Sequence, residues 1–290
     1  MESKPRLGAP RGGALNMSDF LKDSVFQSYR DYIYAESGIH FSESNRSILE
    51  SRLKERLRKK ETEAPDAYLS LLMKNKEETR QFLDAITTNL TRFFRNQAHY
   101  DTLINHVIPD LRAHRQKIGA RRIRLWSAGC STGEEPYTNA MVLTEHLPPG
   151  WEIEVIASDL SLKSLMKAKE GFYPEARTTG IPEHYLKTYF TPEEGGFRVN
   201  ESIRKLVHFD YHNLKFPSDS KNYDIVFCRN VLIYFDEAAQ RNVIGHFWDA
   251  MAPHSYLFIG HSESLFGMDT QFDFIKTNWA CLYGKTVGEK

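Results

Sequence analysis

The sequence predicts an α/β protein in which a small all-α domain precedes a larger domain built on a mainly parallel sheet. Three observations carry this. From Phe20 to Thr88, apolar residues recur at helical spacing with no strand-like alternation between them. From residue 122 onward, short strand-like runs are separated by amphipathic helical runs, the rhythm of a parallel sheet covered on both faces. Between the first such strand and the first such helix lies 126–137, W-S-A-G-C-S-T-G-E-E-P-Y, a glycine loop in the place where open sheets bind ligands.

The bulk properties leave room for one large domain or two modest ones. The chain has 290 residues, 12% aromatic content and a formal net charge of zero, so global charge gives no reason to expect a nucleic-acid or membrane partner. Its three cysteines, Cys130, Cys228 and Cys281, are far apart and suggest neither a disulfide framework nor a metal site, and a reducing cytoplasm is the simple expectation. No apolar run approaches the roughly 20 residues of a membrane helix. Residues 1–17, rich in Pro, Gly and Arg, read as a disordered leader with Met17 as an alternative start.

The all-α domain is expected over 18–90. Phe26, Tyr29 and Ile33 mark its first helix, stopped by Gly38. Leu49, Leu53 and Leu57 form an i, i+4 stripe on the second. Pro65 suits the first turn of a third, with Leu69 and Leu72, and Phe82 and Ile86 mark a fourth. The second helix, 46–60, carries seven basic residues (Arg46, Arg52, Lys54, Arg56, Arg58, Lys59 and Lys60) against two acidic ones. That is either a solvated face or a docking surface for an acidic partner, because clustered charge steers association.

The second domain is expected over 91–290. Strands are read at Arg122–Ala128, Glu152–Asp159, 206–211, Tyr223–Cys228 and 256–260, with helices at Glu134–His146, 161–169 and 236–251 and a closing hairpin at 272–275 and 280–283. Residues 172–204 break the rhythm with Pro and Gly, and read as an insertion holding a small helix, Glu183–Tyr189, and a β piece at 197–199.

The chemistry centres on the glycine loop. Gly129 and Gly133 let the backbone approach a ligand closely. Asp159 ends the second strand across the crevice, where a carboxylate can accept ribose hydroxyls. The loop is neither G-x-G-x-x-G nor G-x-x-x-x-G-K-[ST], so the dinucleotide and triphosphate patterns are absent. Glu134 and Glu135 occupy the helix N-terminus that would otherwise hold phosphate, and two carboxylates there favour a ligand with positive charge. S-adenosylmethionine, with a sulfonium, an ammonium and no phosphate, suits such a site. Cys130 has no basic neighbour in sequence and reads as a packing residue. His261, in G-H-S-E at a strand end, is the one histidine singled out. The stretch 86–95, I-T-T-N-L-T-R-F-F-R, is either a capped helix junction or a linker delivering polar side chains into a cleft.

Together I-T-T-N-L-T-R-F-F-R, W-S-A-G-C-S-T-G-E-E-P-Y, A-S-D, F-C-R-N-V-L-I-Y-F and G-H-S-E resemble, in this order, the motifs of CheR-type chemotaxis receptor methyltransferases, from about Phe20 to Tyr283; the first begins here with Ile86 where the family has Leu. The resemblance implies a helical N-terminal domain joined to a Rossmann-like methyltransferase domain with an inserted β-subdomain. It implies methyl transfer from S-adenosylmethionine to glutamate side chains on cytoplasmic receptor helices, leaving S-adenosylhomocysteine, with no metal. By the same resemblance Asn89, Thr91 and Arg95 reach the cofactor from the linker, and Glu135 and Asp159 hold its amino-acid or ribose part. Asn213 and Leu214 lie on the adenine side, Arg229 and Asn230 at the methyl end, and Tyr234 with Arg95 positions the reacting groups. Some members bind a receptor tail peptide on the inserted subdomain. The 190–200 segment is short for that role, so docking is expected mainly through the basic helix. Two rival readings are another methylated substrate, such as nucleic acid, and a cofactor-binding sensor without turnover.

Overall fold

The computed structural model describes residues 20–62, 64–87 and 89–286, so the leader expected at 1–17 lies outside the described residues. Four helices open it. Helix α1, Asp23–Ser37, buries Val25, Phe26, Tyr29 and Ile33 on one face and ends at Gly38, whose φ of +75° suits a residue without a Cβ. A 3-10 turn, Glu43–Asn45, leads into α2, Arg46–Lys59. Helix α3, Pro65–Lys74, begins on its proline, and α4, Lys76–Ile86, is capped by the Asn75 side chain accepting from Glu77 N and Glu78 N at 3.1 Å each. Their shared core centres on Phe82, with the Tyr29 and Tyr68 rings 5.8 and 5.9 Å away.

The larger domain starts with α5, Gln97–Thr102, which runs through a π turn into α6, Ile108–Lys117. Then follow β1, Arg122–Ala128; α7, Glu134–His146; β2, Glu152–Asp159; and α8, Leu162–Glu170, with Ser161 as its cap and Gly171 as its stop. The segment after it holds β3, Phe172–Pro174; α9, Glu175–Thr178; α10, Glu183–Tyr189; β4, Phe190–Glu193; β5, Gly196–Val199; and α11, Glu201–Arg204. The chain returns to the main sheet with β6, Val207–Tyr211, and β7, Tyr223–Cys228, then α12, Glu237–Ala250; β8, Met251–Ile259; β9, Asp273–Lys276; and β10, Cys281–Thr286.

The main sheet has the order β6-β2-β1-β7-β8-β10-β9. Its first five strands are parallel, and β10 lies antiparallel between β8 and β9. The closing hairpin thus reaches the sheet edge first and comes back inside it. The chain builds outward from β1 through β2, then crosses to β7 and builds the other way. The topological switch therefore falls between β1 and β7, and the crevice opens beyond their carboxyl ends. The inserted segment forms a separate antiparallel sheet, β3-β5-β4. It grips the linker: the Phe93 ring meets Tyr173 and Phe190 edge-on at 4.8 and 5.4 Å. Strand β8 starts five residues earlier than the 256–260 run suggested. Its register against β7 shifts between Tyr223 and Ile225, and Pro253 breaks the alternation that would have revealed it.

The helical domain closes over the crevice. Ile39 bridges Phe235, and His40 N donates to Tyr234 O at 2.8 Å. Asn213 Nδ2 donates to Glu36 O at 2.8 Å. The Asp84 carboxylate of α4 accepts from Ser161 Oγ and from Lys163 N, completing the cap of α8 from the other domain. Among the described residues no helix is long and apolar enough to cross a membrane.

The basic face of α2 is smaller than the sequence suggested. Arg56 is only 7% exposed, and its guanidinium pairs with Glu78, also reaching Tyr68 Oη and Gln81. Arg46 pairs with Asp23 and Glu50, Lys59 with Glu55, and Lys60 with Glu78. Only Arg52, Lys54 and Arg58 have no carboxylate partner among the described residues. Helix periodicity places Arg56 one turn after Leu53 and beside Leu57, and the buried Glu78 that holds it there is distant in sequence. Arg56→Glu should therefore lower the free energy of unfolding by about 3–5 kcal/mol, as breaking a buried pair does, measured by urea denaturation. Arg52→Glu should change it by less than about 0.5 kcal/mol.

Candidate active site

The loop after β1 is folded back over β2. Gly129 N and Cys130 N both donate to Ser158 O, at 2.8 and 2.9 Å. Gly133 has φ +93°, and a Cβ there would stand 2.8 Å from Ala168 Cβ and 2.9 Å from Tyr173 Oη, so only glycine fits. Asp159, at the end of β2, accepts from Ser131 N at 2.7 Å and from Ser161 N at 2.8 Å. Its burial raises the carboxyl above the usual range, against the pull of those backbone donors. The loop thus hangs on the same carboxylate that faces the crevice.

Glu135, in the first turn of α7, accepts from Ser127 Oγ at 2.7 Å and from Arg229 Nε at 2.8 Å. Arg229 follows β7 and is buried. It also donates to Tyr100 Oη at 3.2 Å and to the Arg95 carbonyl, and meets His99 Nδ1 at 3.3 Å. Burial and the adjacent Arg229 charge push the His99 imidazole down to about 3, so it is neutral at pH 7 and Nδ1 accepts. Burial pushes the Tyr100 phenol up to about 12.

These elements and the helical domain enclose a cleft of about 310 Å³. Asn89, Thr91 and Arg95 line it from the linker, where Arg95 Nη1 also donates to Leu90 O at 2.9 Å. Glu135 and Asp159 line it from β1–α7 and β2. Asn213 and Leu214 border it after β6, and Arg229, Asn230 and Tyr234 after β7. All ten residues that the family resemblance implies for the site therefore border one cavity. Linker side chains do enter a cleft, which decides between the two readings of 86–95.

Three expectations change at the level of individual groups. Glu134 turns away from the cleft: it is fully buried and accepts from Thr132 Oγ1 at 2.7 Å and from Arg177 of the inserted segment. The single carboxylate at that helix N-terminus facing the cleft is Glu135. Arg229 spends its donors on Glu135, Tyr100 and Arg95 O, so it holds the wall together more than it offers hydrogen bonds inward. The Asn213 side chain joins the two domains through Glu36 O. Cys130 is buried with its thiol pushed well above the usual range by burial and nearby carboxylates, as suits a packing residue. His261 is exposed and does not border the cleft.

Sequence reasoning missed one wall. Ser37 at the end of α1, with Ile39, His40 and Phe41 after it, borders the cleft from the helical domain. It also passed over Ser131, inside the glycine loop, and His212, next to Asn213. Both residues border the cleft, and Ser131 Oγ and His212 Nε2 are buried with no hydrogen-bond partner among the described residues. Buried polar atoms are rarely left unpaired, and two such residues on one cleft suit a polar ligand there. Their chemistry, the lone carboxylate at the helix N-terminus and the volume fit S-adenosylmethionine.

A parallel sheet with its crevice at the β1/β7 switch, a glycine loop without a phosphate pattern and an acidic residue at the end of β2 define the S-adenosylmethionine-dependent methyltransferase class. Residues 89–281 match the family described as CheR methyltransferase, SAM binding domain, and residues 24–87 match CheR methyltransferase, all-alpha domain. The chain belongs to the CheR methyltransferase family. It is 38% identical over 244 residues to a chemotaxis protein methyltransferase of Borreliella burgdorferi, covering 81% of this chain and 86% of that one. It is 35% identical over 263 residues to the chemotaxis protein methyltransferase of Escherichia coli, covering 87% and 88%.

The neutral His99 makes stability depend on pH. Unfolded, it takes a proton near 6.5; folded, only near about 3, so its contribution is present above 6.5 and lost as pH falls through that window. His99→Phe removes the titration. The stability of the wild type relative to this variant should fall steadily from pH 6.5 to pH 4 in thermal melts, and a constant difference would contradict the assignment.

Proposed function

We propose that this enzyme transfers the methyl group of S-adenosylmethionine to glutamate side-chain carboxylates on the cytoplasmic helices of chemotaxis receptors, yielding glutamate methyl esters and S-adenosylhomocysteine. The observation that carries this is the pairing of Arg95 and Tyr234, on the linker and the turn after β7, at one cleft with Asp159 and Glu135. Anion-orienting groups thus share a cavity with groups that suit a ribose and an ammonium. The relatives named chemotaxis protein methyltransferase support the receptor as substrate.

The chemistry asks little of the protein. A glutamate carboxylate, with a usual pKa of about 4.3, is already ionised at neutral pH, so no general base is needed. Bound S-adenosylmethionine supplies an electrophilic methyl: a carboxylate oxygen bonds to its carbon as the carbon–sulfur bond breaks, and the sulfonium leaves as a neutral thioether. Arg95 receives the incoming carboxylate, and a guanidinium can hold both oxygens in plane. Tyr234 donates or packs at the same end. The helical domain excludes water, which strengthens these contacts and aligns the pair. A grip that is too firm would stabilise the substrate more than the transition state, so a lone cation suits the task.

Docking is assigned to the cations of α2 that have no carboxylate partner among the described residues: Arg52, Lys54 and Arg58. Asn45, just before α2, and Ile48, on it, border the cleft, so this helix leads from its mouth. The inserted sheet is proposed to play no part in capturing a receptor tail. Its β4–β5 connection is two residues, Glu194 and Gly195, and Pro192 removes an amide donor from β4.

Tritiated methyl should pass from S-adenosylmethionine to a receptor cytoplasmic fragment and be released by base as methanol; label that resists base on every receptor tried would exclude a carboxyl ester. Asp159→Ala, which also frees Ser131 N and Ser161 N, should weaken S-adenosylhomocysteine binding by about 10–100-fold, the worth of hydrogen bonds to a charged group, read by calorimetry. Tyr234→Phe should lower kcat with cofactor affinity retained. Arg52→Glu should raise the KM for receptor with little change in kcat.

A further inference from the structure

The G-H-S-E motif after β8 has no part in the reading above, and its glutamate is placed where its histidine is not. Glu263 turns back between the carboxyl ends of β7 and β8. Its Oε2 accepts from Asn230 N at 2.9 Å and from Gly260 N, and its Oε1 accepts from Ile233 N at 3.2 Å. One carboxylate thus collects three main-chain donors, two of them from the turn 230–234. The fit is close: a Cβ on Gly260 would stand 2.5 Å from Glu263 Oε2 and 2.9 Å from Asn230 N.

The far end of that turn is held by others: Gln240 Nε2 donates to Leu232 O at 2.9 Å and His40 N to Tyr234 O at 2.8 Å, while the Asn230 and Ile233 amides go to Glu263. The turn follows the end of β7 at Cys228 and contains only a single 3-10 turn, Leu232–Tyr234, before α12. Asn230 takes φ +60°, a left-handed conformation that asparagine tolerates better than most residues with a Cβ. Asn230 and Tyr234 border the cleft from this turn. A carboxylate is the right group for the task, since both oxygens accept and neither donates. An amide would turn an N–H₂ toward one of the donors.

We propose that Glu263 is a positioning residue for methyl transfer: by binding Asn230 N and Ile233 N it fixes the 230–234 turn and so sets where the Tyr234 phenol stands in the cleft. This rests on the role given above to Tyr234. Glu263 touches neither substrate nor cofactor and acts through the backbone it holds.

The test uses the full chain with Glu263→Gln, Glu263→Asp, Tyr234→Phe and the Glu263→Gln/Tyr234→Phe double variant. Amide hydrogen exchange over 229–235, S-adenosylhomocysteine affinity and turnover on a receptor fragment are measured. Glu263→Asp retains the charge but draws it back by one methylene, which serves should the amide variant fold poorly. Exchange at Asn230 and Ile233 should accelerate in both Glu263 variants, with kcat falling by on the order of 10–100-fold, as small misplacements of reacting groups cost, while cofactor affinity is nearly retained. In the Tyr234→Phe background, Glu263→Gln should cost little more. Unchanged exchange, or losses that multiply in the double variant, would overturn the positioning while sparing the functional reading. Faster exchange in Glu263→Gln with full turnover in Tyr234→Phe would overturn the reading of Tyr234, and the proposal with it.

Discussion

The ion pair between Glu135 and Arg229 is the interaction on which the site depends. Glu135 opens α7 just past the glycine loop, and Arg229 follows β7, so the pair spans the topological switch where the sheet leaves its crevice. Both groups are buried, and taking two charges out of water costs several kcal/mol per ion unless the remaining hydrogen bonds are made. They are made here. Ser127 Oγ serves Glu135, while Tyr100 Oη and the Arg95 carbonyl serve Arg229. The neutral His99 completes the shell without adding a second positive charge. Through Arg95 O, the pair also fixes the linker that carries three of the cleft residues.

A second layer of contacts turns an open crevice into a closed one. The helical domain contributes main-chain groups at the end of α1 and the Asp84 carboxylate on α4. The other domain answers with Asn213, the backbone of residues 234 and 163, and Ser161. These are directional bonds that fix an orientation, and they put Ile39, His40 and Phe41 at the border of the cleft. The inserted sheet works from the other side. Tyr173 Oη donates to Thr132 O at 2.7 Å and Arg177 engages Glu134, so the cofactor loop is braced from beneath by a segment that interrupts the parallel rhythm.

Much of this was legible in the sequence, because local rules decide it. Helical spacing marked the four N-terminal helices, and caps such as Ser161 and Gly171 marked α8. The glycine loop and Asp159 pointed to a nucleoside without phosphate. The ten candidate residues, most of them assigned through family motifs, do meet at one cavity. What misled was charge. Seven cations on one helix read as a surface, yet Arg56 is drawn inward by Glu78, a residue distant in sequence and equally buried. Glu134 and Glu135 read as a pair, yet consecutive residues on a helix point in different directions, and one faces the insertion while the other faces the cleft.

The sequence by itself determined the class of fold, the place of the cofactor loop and the residue types at the cleft, since periodicity, turn chemistry and motif spacing act over a few residues. Only the tertiary structure decided which charges are neutralised, which donors remain free, and that the loop after α1 forms a wall of the site. Those depend on which groups meet across long sequence separations. A buried charge takes its partner from whatever the fold brings within hydrogen-bond reach, and no local pattern announces it.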